Sequence, residues 1–156
     1  KRRGAIALTK PAELLELWAQ HYRLAAHRQH TFYTFVRDPR ALAARLTAHA
    51  VAHREPAALT LHAGAALVAP FVRSPDVHAY FQGDLERLVH ALDLRPVETG
   101  GTVHVLEPDD AGVFYRVQTI RKVRVVCNTQ LYLDLITYPA RGRERAEVLR
   151  RQRLGY

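Results

Sequence analysis

The chain has 156 residues, of which 48% are hydrophobic, and its formal net charge is +8. This length and composition are typical of one compact globular domain. No segment offers the roughly 20 consecutive apolar residues of a membrane-spanning helix, so no membrane partner is expected. The single cysteine, Cys127, excludes an internal disulfide and favours a reducing, cytoplasmic location. The chain contains no methionine, even at position 1, which predicts that it begins at a processed or cut end.

The positive charge is concentrated at the two ends of the chain. Residues 1–10 carry four basic side chains and no acid, and residues 141–156 carry six arginines against two glutamates. The residues between them carry thirteen basic and thirteen acidic side chains, so this central part is electrically balanced. A concentrated basic segment creates a local positive potential that attracts polyanions, and nucleic acid is the first candidate.

The first half of the chain predicts helices that alternate with short strands. In Pro11–Arg23, the residues Leu14, Leu15, Trp18 and Tyr22 recur at helical spacing and are expected to form one core-facing stripe. Proline near the start of this segment is typical of a helix N-terminus. The other expected elements are strands at Gln29–Val36, Ala58–Leu61 and Val77–Phe81, and helices that begin at Asp38-Pro39, cover His62–Ala69 and follow Asp84.

The second half predicts a run of strands followed by two helices. The segments on either side of Gly100-Gly101 are expected to pair as a hairpin. The whole order of elements predicts an α+β (mixed α/β) fold, in which residues 1–156 form a single compact domain with a central sheet and flanking helices. The expected elements are strands at Arg95–Glu98, Thr102–Glu107, Val113–Gln118 and Arg121–Val126, a helix at Gln130–Tyr138 capped by Asn128 or Thr129, and a helix at Arg143–Arg153.

Basic side chains in three segments are the candidate functional residues. Arginine presents a planar fork that suits phosphate. In the last helix, Glu147 lies within one turn of Arg143 and Arg151, so ion pairs are expected, and a solvated terminal helix is the alternative to phosphate contact. The basic strand at 121–124 either extends the same surface or guards a sheet edge. The candidate phosphate contacts are Lys1, Arg2, Arg3, Arg121, Lys122, Arg124, Arg141, Arg143, Arg145, Arg150, Arg151 and Arg153.

Asp134 is expected to be buried, because its neighbours on the predicted helix are apolar nearly all round. A buried carboxylate needs a partner. Arg141 or Arg143, just beyond the helix, is the expected one. This predicts a structural aspartate that ties two helices together, rather than a catalytic residue.

The histidines do not predict a metal centre. His49 and His53 are four residues apart, which is metal-ligand spacing, but no glutamate follows His49 as the zinc-protease pattern requires. Packing is therefore the expected role of this pair. No glycine-rich phosphate loop is present, and no cofactor or metal is expected.

A metal-dependent nuclease is the weakest of the functions considered. Such an enzyme needs two or three acids and a lysine on neighbouring strands. Glu107, Asp109 and Asp110 cluster in the chain, but Lys122 is the only interior lysine and no acid precedes it at close spacing. These acids are therefore interpreted as turn residues, and no catalytic residue is assigned.

Two segments near the C-terminal end resemble a known family. Asn128–Leu135 (NTQLYLDL) and Arg141–Arg150 (RGRERAEVLR) are similar to the C-terminal signature of AbiEi-type antitoxins, which belong to type IV toxin–antitoxin systems. Further segments agree with the family in order, and the resemblance covers nearly the whole chain. These segments are Leu14–Ala19, Thr31–Phe35, Leu61–Ala66 and Gly112–Phe114.

The resemblance implies the C-terminal domain of a DNA-binding transcriptional regulator that represses its own operon, whose N-terminal winged helix is absent from these residues. The implied partners are the operator of its own operon and a nucleotidyltransferase-like toxin, which it would antagonise without a stable complex. The resemblance marks Gln130 and Asp134 as signature residues, which either hold the fold or act. The alternative is a protein-interaction or self-association module without nucleic-acid contact.

Overall fold

Seven strands form one sheet in the computed structural model, which describes residues 7–69 and 74–156. The candidate residues Lys1, Arg2 and Arg3 lie outside the described residues. In chain order the strands are β1 (Arg28–Tyr33), β2 (Ala57–Thr60), β3 (Val77–Phe81), β4 (Arg95–Pro96), β5 (Val103–Glu107), β6 (Gln118–Ile120) and β7 (Val123–Val125).

The sheet is mixed, and its spatial strand order is β4-β1-β5-β3-β2-β7-β6. The pairs β3–β5 and β2–β7 are parallel, whereas the other neighbours are antiparallel. Every residue of β2 and β3 is buried. Because both faces of these strands are covered, their sequences are apolar almost throughout.

Six α-helices flank the sheet in the described part of the chain. Two of them begin at the aspartates where the sequence predicts a helix start, Asp38 and Asp84, and each carboxylate caps its helix by accepting a hydrogen bond from a backbone N–H at 3.0 Å. None of the described helices has the length and hydropathy needed to cross a bilayer. The helices are α1 (Pro11–His21), α2 (Pro39–His53), α3 (Leu61–Val68), α4 (Leu85–Ala91), α5 (Asn128–Thr137) and α6 (Gly142–Leu149).

The helices form two groups around the sheet. Helix α5 packs against α1, α3 and α6, whereas α2 packs against α4 and against β2, β3 and β7. Beyond α6, residues 150–154 continue as a π-helical turn. This architecture confirms the predicted α+β fold with a central sheet and flanking helices.

Helix α1 buries a different stripe from the predicted one. Leu15 and Tyr22 pack against the core, whereas Leu14, Leu17 and Trp18 are exposed. Leu15 and Tyr22 are seven residues apart and therefore share one helical face, whereas Leu14 and Trp18 lie on the adjacent face. The prediction that all four residues face the core is therefore wrong. The three exposed side chains form what we call the α1 apolar face.

The predicted hairpin around Gly100-Gly101 is also wrong. Strands β4 and β5 pair with opposite edges of β1, so that Phe32 lies opposite Pro96 on one side and Val103 on the other. Local sequence favours a hairpin at two glycines, but β1 offers the better partner for both segments.

The strands predicted at Val113–Gln118 and Arg121–Val126 are wrong in extent. Residues 111–114 form a 3-10 turn, and the first strand is the short β6. Arg121 and Lys122 form the two-residue turn between β6 and β7, with φ values of 49° and 66°. Two consecutive positive φ values are typical of the type I′ hairpin turn.

Helix α5 begins two residues earlier than predicted, and its predicted cap is wrong. Cys127 occupies the N-cap position, is half-buried, and supplies no side-chain hydrogen bond to the helix. The Asn128 amide oxygen instead accepts a hydrogen bond from Gln118 Nε2 at 2.9 Å. This contact joins the start of α5 to the edge strand β6.

Candidate nucleic-acid interface and its buried support

The basic segment near the C-terminal end comprises α6 and the helical turn that follows it, and we call residues 141–153 the C-terminal basic segment. Ala146 and Leu149 are fully buried and hold it on the domain. Gly142 allows the close approach of α6 to α5, because a Cβ atom there would lie 2.1 Å from the Leu135 carbonyl oxygen. The basic side chains are therefore carried on a rigid element.

Four arginines of this segment are exposed: Arg141, Arg143, Arg151 and Arg153. Within residues 7–69 and 74–156, none of the four makes an ion pair. The predicted pairs of Glu147 with Arg143 and Arg151 are wrong, because these exposed side chains extend into solvent. Their positive charge is available to a ligand.

Arg150 is half-buried, and its side chain is tied to two other parts of the fold. Its Nη2 lies 3.0 Å from Glu16 Oε1 on α1, and its Nε donates a hydrogen bond to the Tyr156 carbonyl oxygen at 2.6 Å. The hydrogen bond to Glu16 raises the pKa of the Arg150 guanidinium. These contacts dock the C-terminal basic segment onto α1 and favour a structural role for Arg150.

Arg145 differs from its exposed neighbours in being half-buried. Burial, followed by the nearby charge of Arg141, lowers the pKa of the Arg145 guanidinium. Among the six arginines of the segment, Arg145 and Arg150 are thus the two that lie partly within the fold.

The second basic group lies at one edge of the sheet, around the turn between β6 and β7. Arg121 and Lys122 are exposed at the tip of the β6–β7 turn, whereas Arg124 is half-buried in β7. The Arg124 backbone N–H donates to Thr47 Oγ1 at 3.3 Å. The prediction that Lys122 and Arg124 share one strand face is wrong, because Lys122 belongs to the turn.

Beneath the helices lies a buried polar cluster, which we define as Tyr22, Thr60, Tyr80, Gln130 and Asp134. Asp134 is 0% exposed and occupies its centre. Its carboxylate accepts hydrogen bonds from Tyr22 Oη at 2.5 Å, from Tyr80 Oη and Gln130 Nε2 at 2.9 Å each, and from Thr60 Oγ1.

The predicted arginine partner of Asp134 is therefore wrong. Arg141 and Arg143 are both exposed, and the carboxylate is stabilised by hydroxyl and amide groups instead. A buried charge can be stabilised by several neutral donors as well as by one opposite charge. Here the donors come from β2, β3, α5 and Tyr22, the residue that follows α1, so the aspartate joins four parts of the fold rather than two helices.

Burial shifts the pKa values of the ionisable groups in the buried polar cluster. Loss of solvation raises the pKa of Asp134 to about 6, against the lowering effect of its four hydrogen bonds. Burial and the nearby carboxylate raise the pKa of both Tyr22 and Tyr80. At neutral pH the aspartate is therefore charged and both tyrosines are neutral, which lets each phenol donate.

His27 extends the buried polar cluster towards a surface turn. Its Nδ1 accepts a hydrogen bond from the Asp109 backbone N–H at 3.0 Å, so in the neutral ring the proton lies on Nε2. That Nε2 lies 3.0 Å from Tyr22 Oη and donates to it. Burial lowers the pKa of His27, which favours this neutral form.

Sequence reasoning found only Gln130 and Asp134 of this cluster. Tyr22, Thr60 and Tyr80 lie 112, 74 and 54 residues from Asp134 in the chain. Their only signal in the sequence was indirect: a carboxylate in an apolar helix requires donors from elsewhere.

Two of the three acids considered for nuclease chemistry, Glu107 and Asp110, are occupied in contacts with neighbouring groups. Glu107 Oε2 lies 3.1 Å from His30 Nε2, and Asp110 Oδ1 accepts from the Gly112 N–H at 2.5 Å. Lys122 follows β6, which is separated from β5 by three strands. At about 4.8 Å a strand, this places the lysine roughly 19 Å from the end of β5. The acids and the lysine do not converge.

The buried polar cluster fixes α5 to the sheet, and α5 in turn carries α6. Residues 7–155, nearly the whole chain, match the family described as transcriptional regulator, AbiEi antitoxin, type IV TA system. No curated protein and no solved structure matches the chain. The chain therefore belongs to the AbiEi antitoxin family of transcriptional regulators of type IV toxin–antitoxin systems.

Proposed function

We propose that this regulator binds DNA and that its C-terminal basic segment contacts the phosphate backbone. The observation that carries this proposal is the exposure of Arg143, Arg151 and Arg153 on an anchored helical segment, with no ion pair among the described residues. A rigid support keeps the guanidinium groups in place without a large entropic cost on binding.

The arginines would position the protein on the duplex rather than read its sequence. Contacts to phosphate supply affinity and register but carry no sequence information. The DNA partner that we propose is the operator of the protein's own operon, with repression as the result. In the cytoplasm the same protein would antagonise a nucleotidyltransferase-like toxin without forming a stable complex.

The test is the salt dependence of DNA binding. We would compare the protein with the triple variant Arg143→Gln, Arg151→Gln, Arg153→Gln on a duplex from its own promoter region. Each lost phosphate contact reduces the slope of log affinity against log salt by about 0.9. The triple variant is therefore expected to bind more weakly, with a slope flatter by up to about 2.7.

A control variant distinguishes the loss of phosphate contacts from a general effect of lower net charge on DNA binding. Arg37→Gln, Arg40→Gln and Arg54→Gln remove the same three charges from exposed positions on or beside α2. This control is expected to keep the slope of the parent protein. Equal slopes for the parent and the C-terminal triple variant would refute phosphate contact by these arginines. An unrelated duplex should show the same change in slope as the promoter duplex.

The second candidate function is protein binding through the α1 apolar face. Trp18 is 48% exposed, and Leu14 and Leu17 beside it are exposed to a similar extent. Because Trp18 is the only tryptophan, its fluorescence reports directly on coverage of this face. A blue shift with rising protein concentration, together with faster sedimentation, would support self-association. An unchanged spectrum at all concentrations would count against that form of the candidate.

A further inference from the structure

The end of α2 and the segment that leads into β2 bring together three metal-ligating side chains: His49, His53 and Glu55. One ligand atom from each lies within 4.8 Å of the other two. Within the described residues, this is the one group of three or more such side chains that meets this distance. The spacing of the two histidines in the sequence predicts that they lie on one helical face, whereas Glu55 lies beyond the helix and has no such signal.

Two of the three ligand atoms are buried without a hydrogen-bond partner. His49 Nε2 and Glu55 Oε2 are both inaccessible to solvent and unsatisfied, and they lie 3.7 Å apart. The His49 side chain is only 6% exposed. An unsatisfied buried polar atom is costly, so two of them facing each other call for a ligand between them.

The remaining hydrogen bonds orient these groups as metal ligands. His53 Nδ1 donates to the His49 carbonyl oxygen at 2.9 Å, which leaves the lone pair of the neutral His53 ring on Nε2. Such a hydrogen bond from the second ring nitrogen is the usual support of a metal-binding histidine.

Glu55 is held in a similar way. Its Oε1 accepts a hydrogen bond from the Asp84 backbone N–H at 2.9 Å and another from Arg87, which leaves Oε2 free to turn towards the histidines. The charge of Arg87 is shared with the Asp84 carboxylate, 3.7 Å from its Nη1, as well as with Glu55. The local environment is thus not dominated by positive charge.

We propose that His49, His53 and Glu55 bind a divalent transition-metal cation, with Zn²⁺ the best fit. Two imidazole nitrogens and one carboxylate oxygen form a common Zn²⁺ ligand set. With bonds of about 2.0–2.1 Å, tetrahedral geometry separates ligand atoms by about 3.3 Å. His49 Nε2 and Glu55 Oε2 lie 3.7 Å apart and all three ligand atoms lie within 4.8 Å of one another, so a small contraction would complete the site. The cation would join the last turn of α2 to the segment that leads into β2, and the exposure of His53 leaves the fourth position open to water.

The test is a titration of the tag-free, chelator-treated protein with Zn²⁺, followed by calorimetry. Binding of one Zn²⁺ per chain is expected, with an unfolding temperature that rises with Zn²⁺ concentration. Co²⁺ titration gives an independent readout, because nitrogen and oxygen ligands in low coordination produce visible absorption bands.

The informative variant is His53→Gln. His53 is exposed, so its loss removes a ligand without opening the core. We expect affinity for Zn²⁺ to fall at least about tenfold. His90→Gln removes an equally exposed imidazole on α4 and is expected to leave Zn²⁺ binding unchanged.

Two results would overturn the proposal. One is no saturable Zn²⁺ binding by the parent protein, and the other is equal affinity in the parent, His53→Gln and His90→Gln proteins. Glu55→Gln adds a second probe, provided that circular dichroism without metal shows an intact fold.

Discussion

Asp134 is the residue on which the interior of this protein depends. Its carboxylate has no exposed surface, and it accepts hydrogen bonds from four side chains in four parts of the fold. All four partners are neutral donors, so the fold retains a net buried negative charge. Such a charge lowers stability unless each donor stays in place, which makes the cluster a sensitive point for mutation.

Replacing Asp134 by asparagine is expected to change how stability depends on pH. In the folded protein the pKa rises from 3.8 to about 6, so the contribution of this group to stability is lost as pH rises through that interval. The loss is about 3 kcal/mol, and Asp134→Asn does not suffer it. In urea unfolding experiments from pH 4 to 7, the free energy of unfolding of the variant, relative to that of the parent protein, should therefore rise by about this amount.

Leucine at the same position provides the contrast. Asp134→Leu removes the acceptor of Tyr22, Tyr80 and Gln130, and it is expected to lower stability at pH 7 by at least about 3 kcal/mol. The free energies of unfolding of Asp134→Asn and the parent protein are compared across the same pH range. If their difference stays constant, it contradicts the burial of a charged carboxylate at position 134.

His78 is expected to act in the opposite direction. Burial, followed by the nearby His104 and His62, lowers its pKa from 6.5 to about 3. Its contribution to stability is therefore lost as pH falls from about 6.5 to about 3, by up to about 5 kcal/mol. His78→Phe keeps a ring that can stack on His104 and should lose less stability in acid than the parent. His21→Gln, at an exposed site, should behave as the parent does; equal acid sensitivity in all three proteins would exclude His78 as the cause.

At the scale of elements, the junction between α5 and α6 places the basic segment. The two helices meet at Gly142, where the backbone of one approaches the Leu135 carbonyl of the other. Arg150 closes the opposite end by its contact with Glu16 on α1. The C-terminal basic segment is thus held at both ends, and its exposed arginines keep a defined spacing.

Adding one methyl group at this junction is expected to disturb it. In Gly142→Ala the new Cβ would lie 2.1 Å from a backbone oxygen, so α6 must shift and stability should fall by about 1–3 kcal/mol or more. Gly155→Ala is the control: its Cβ meets no atom within 4 Å, and only its φ of +77° opposes the change, at about 1 kcal/mol. Thermal unfolding measures the loss of stability in each variant. A smaller loss of stability in Gly142→Ala than in Gly155→Ala would contradict the close packing of α6 against α5.

At the scale of the whole molecule, stability is expected to be highest at the centre of the sheet. Strands β2 and β3 are fully buried, whereas β4 and β6 lie at the two sheet edges. Amide groups in β2 and β3 should therefore exchange with solvent only on global unfolding, whereas those of β6 and the single amide of β4, at Arg95, should exchange by local opening. Native-state hydrogen exchange measures this order, and similar protection in all four strands would be inconsistent with it.

Much of the fold was within reach of the sequence because its signals are local. The caps at Asp38 and Asp84, the buried strand Val77–Phe81 and the inward-facing Ala146 and Leu149 each depend on residues a few positions apart, where periodicity and capping chemistry decide the outcome. The family resemblance around α5 and α6 likewise concerns contiguous residues.

What only the tertiary structure decided is which distant groups meet. Helical spacing alone could not choose between Leu15 and Trp18 for the core, and two glycines could not reveal that β1 separates β4 from β5. A buried carboxylate requires donors, yet nothing in the sequence selects Tyr22 and Tyr80 rather than an arginine. Strand order and helix docking bring such residues together across more than fifty positions, and the free energy of burying the whole core decides between arrangements that satisfy each local pattern equally well.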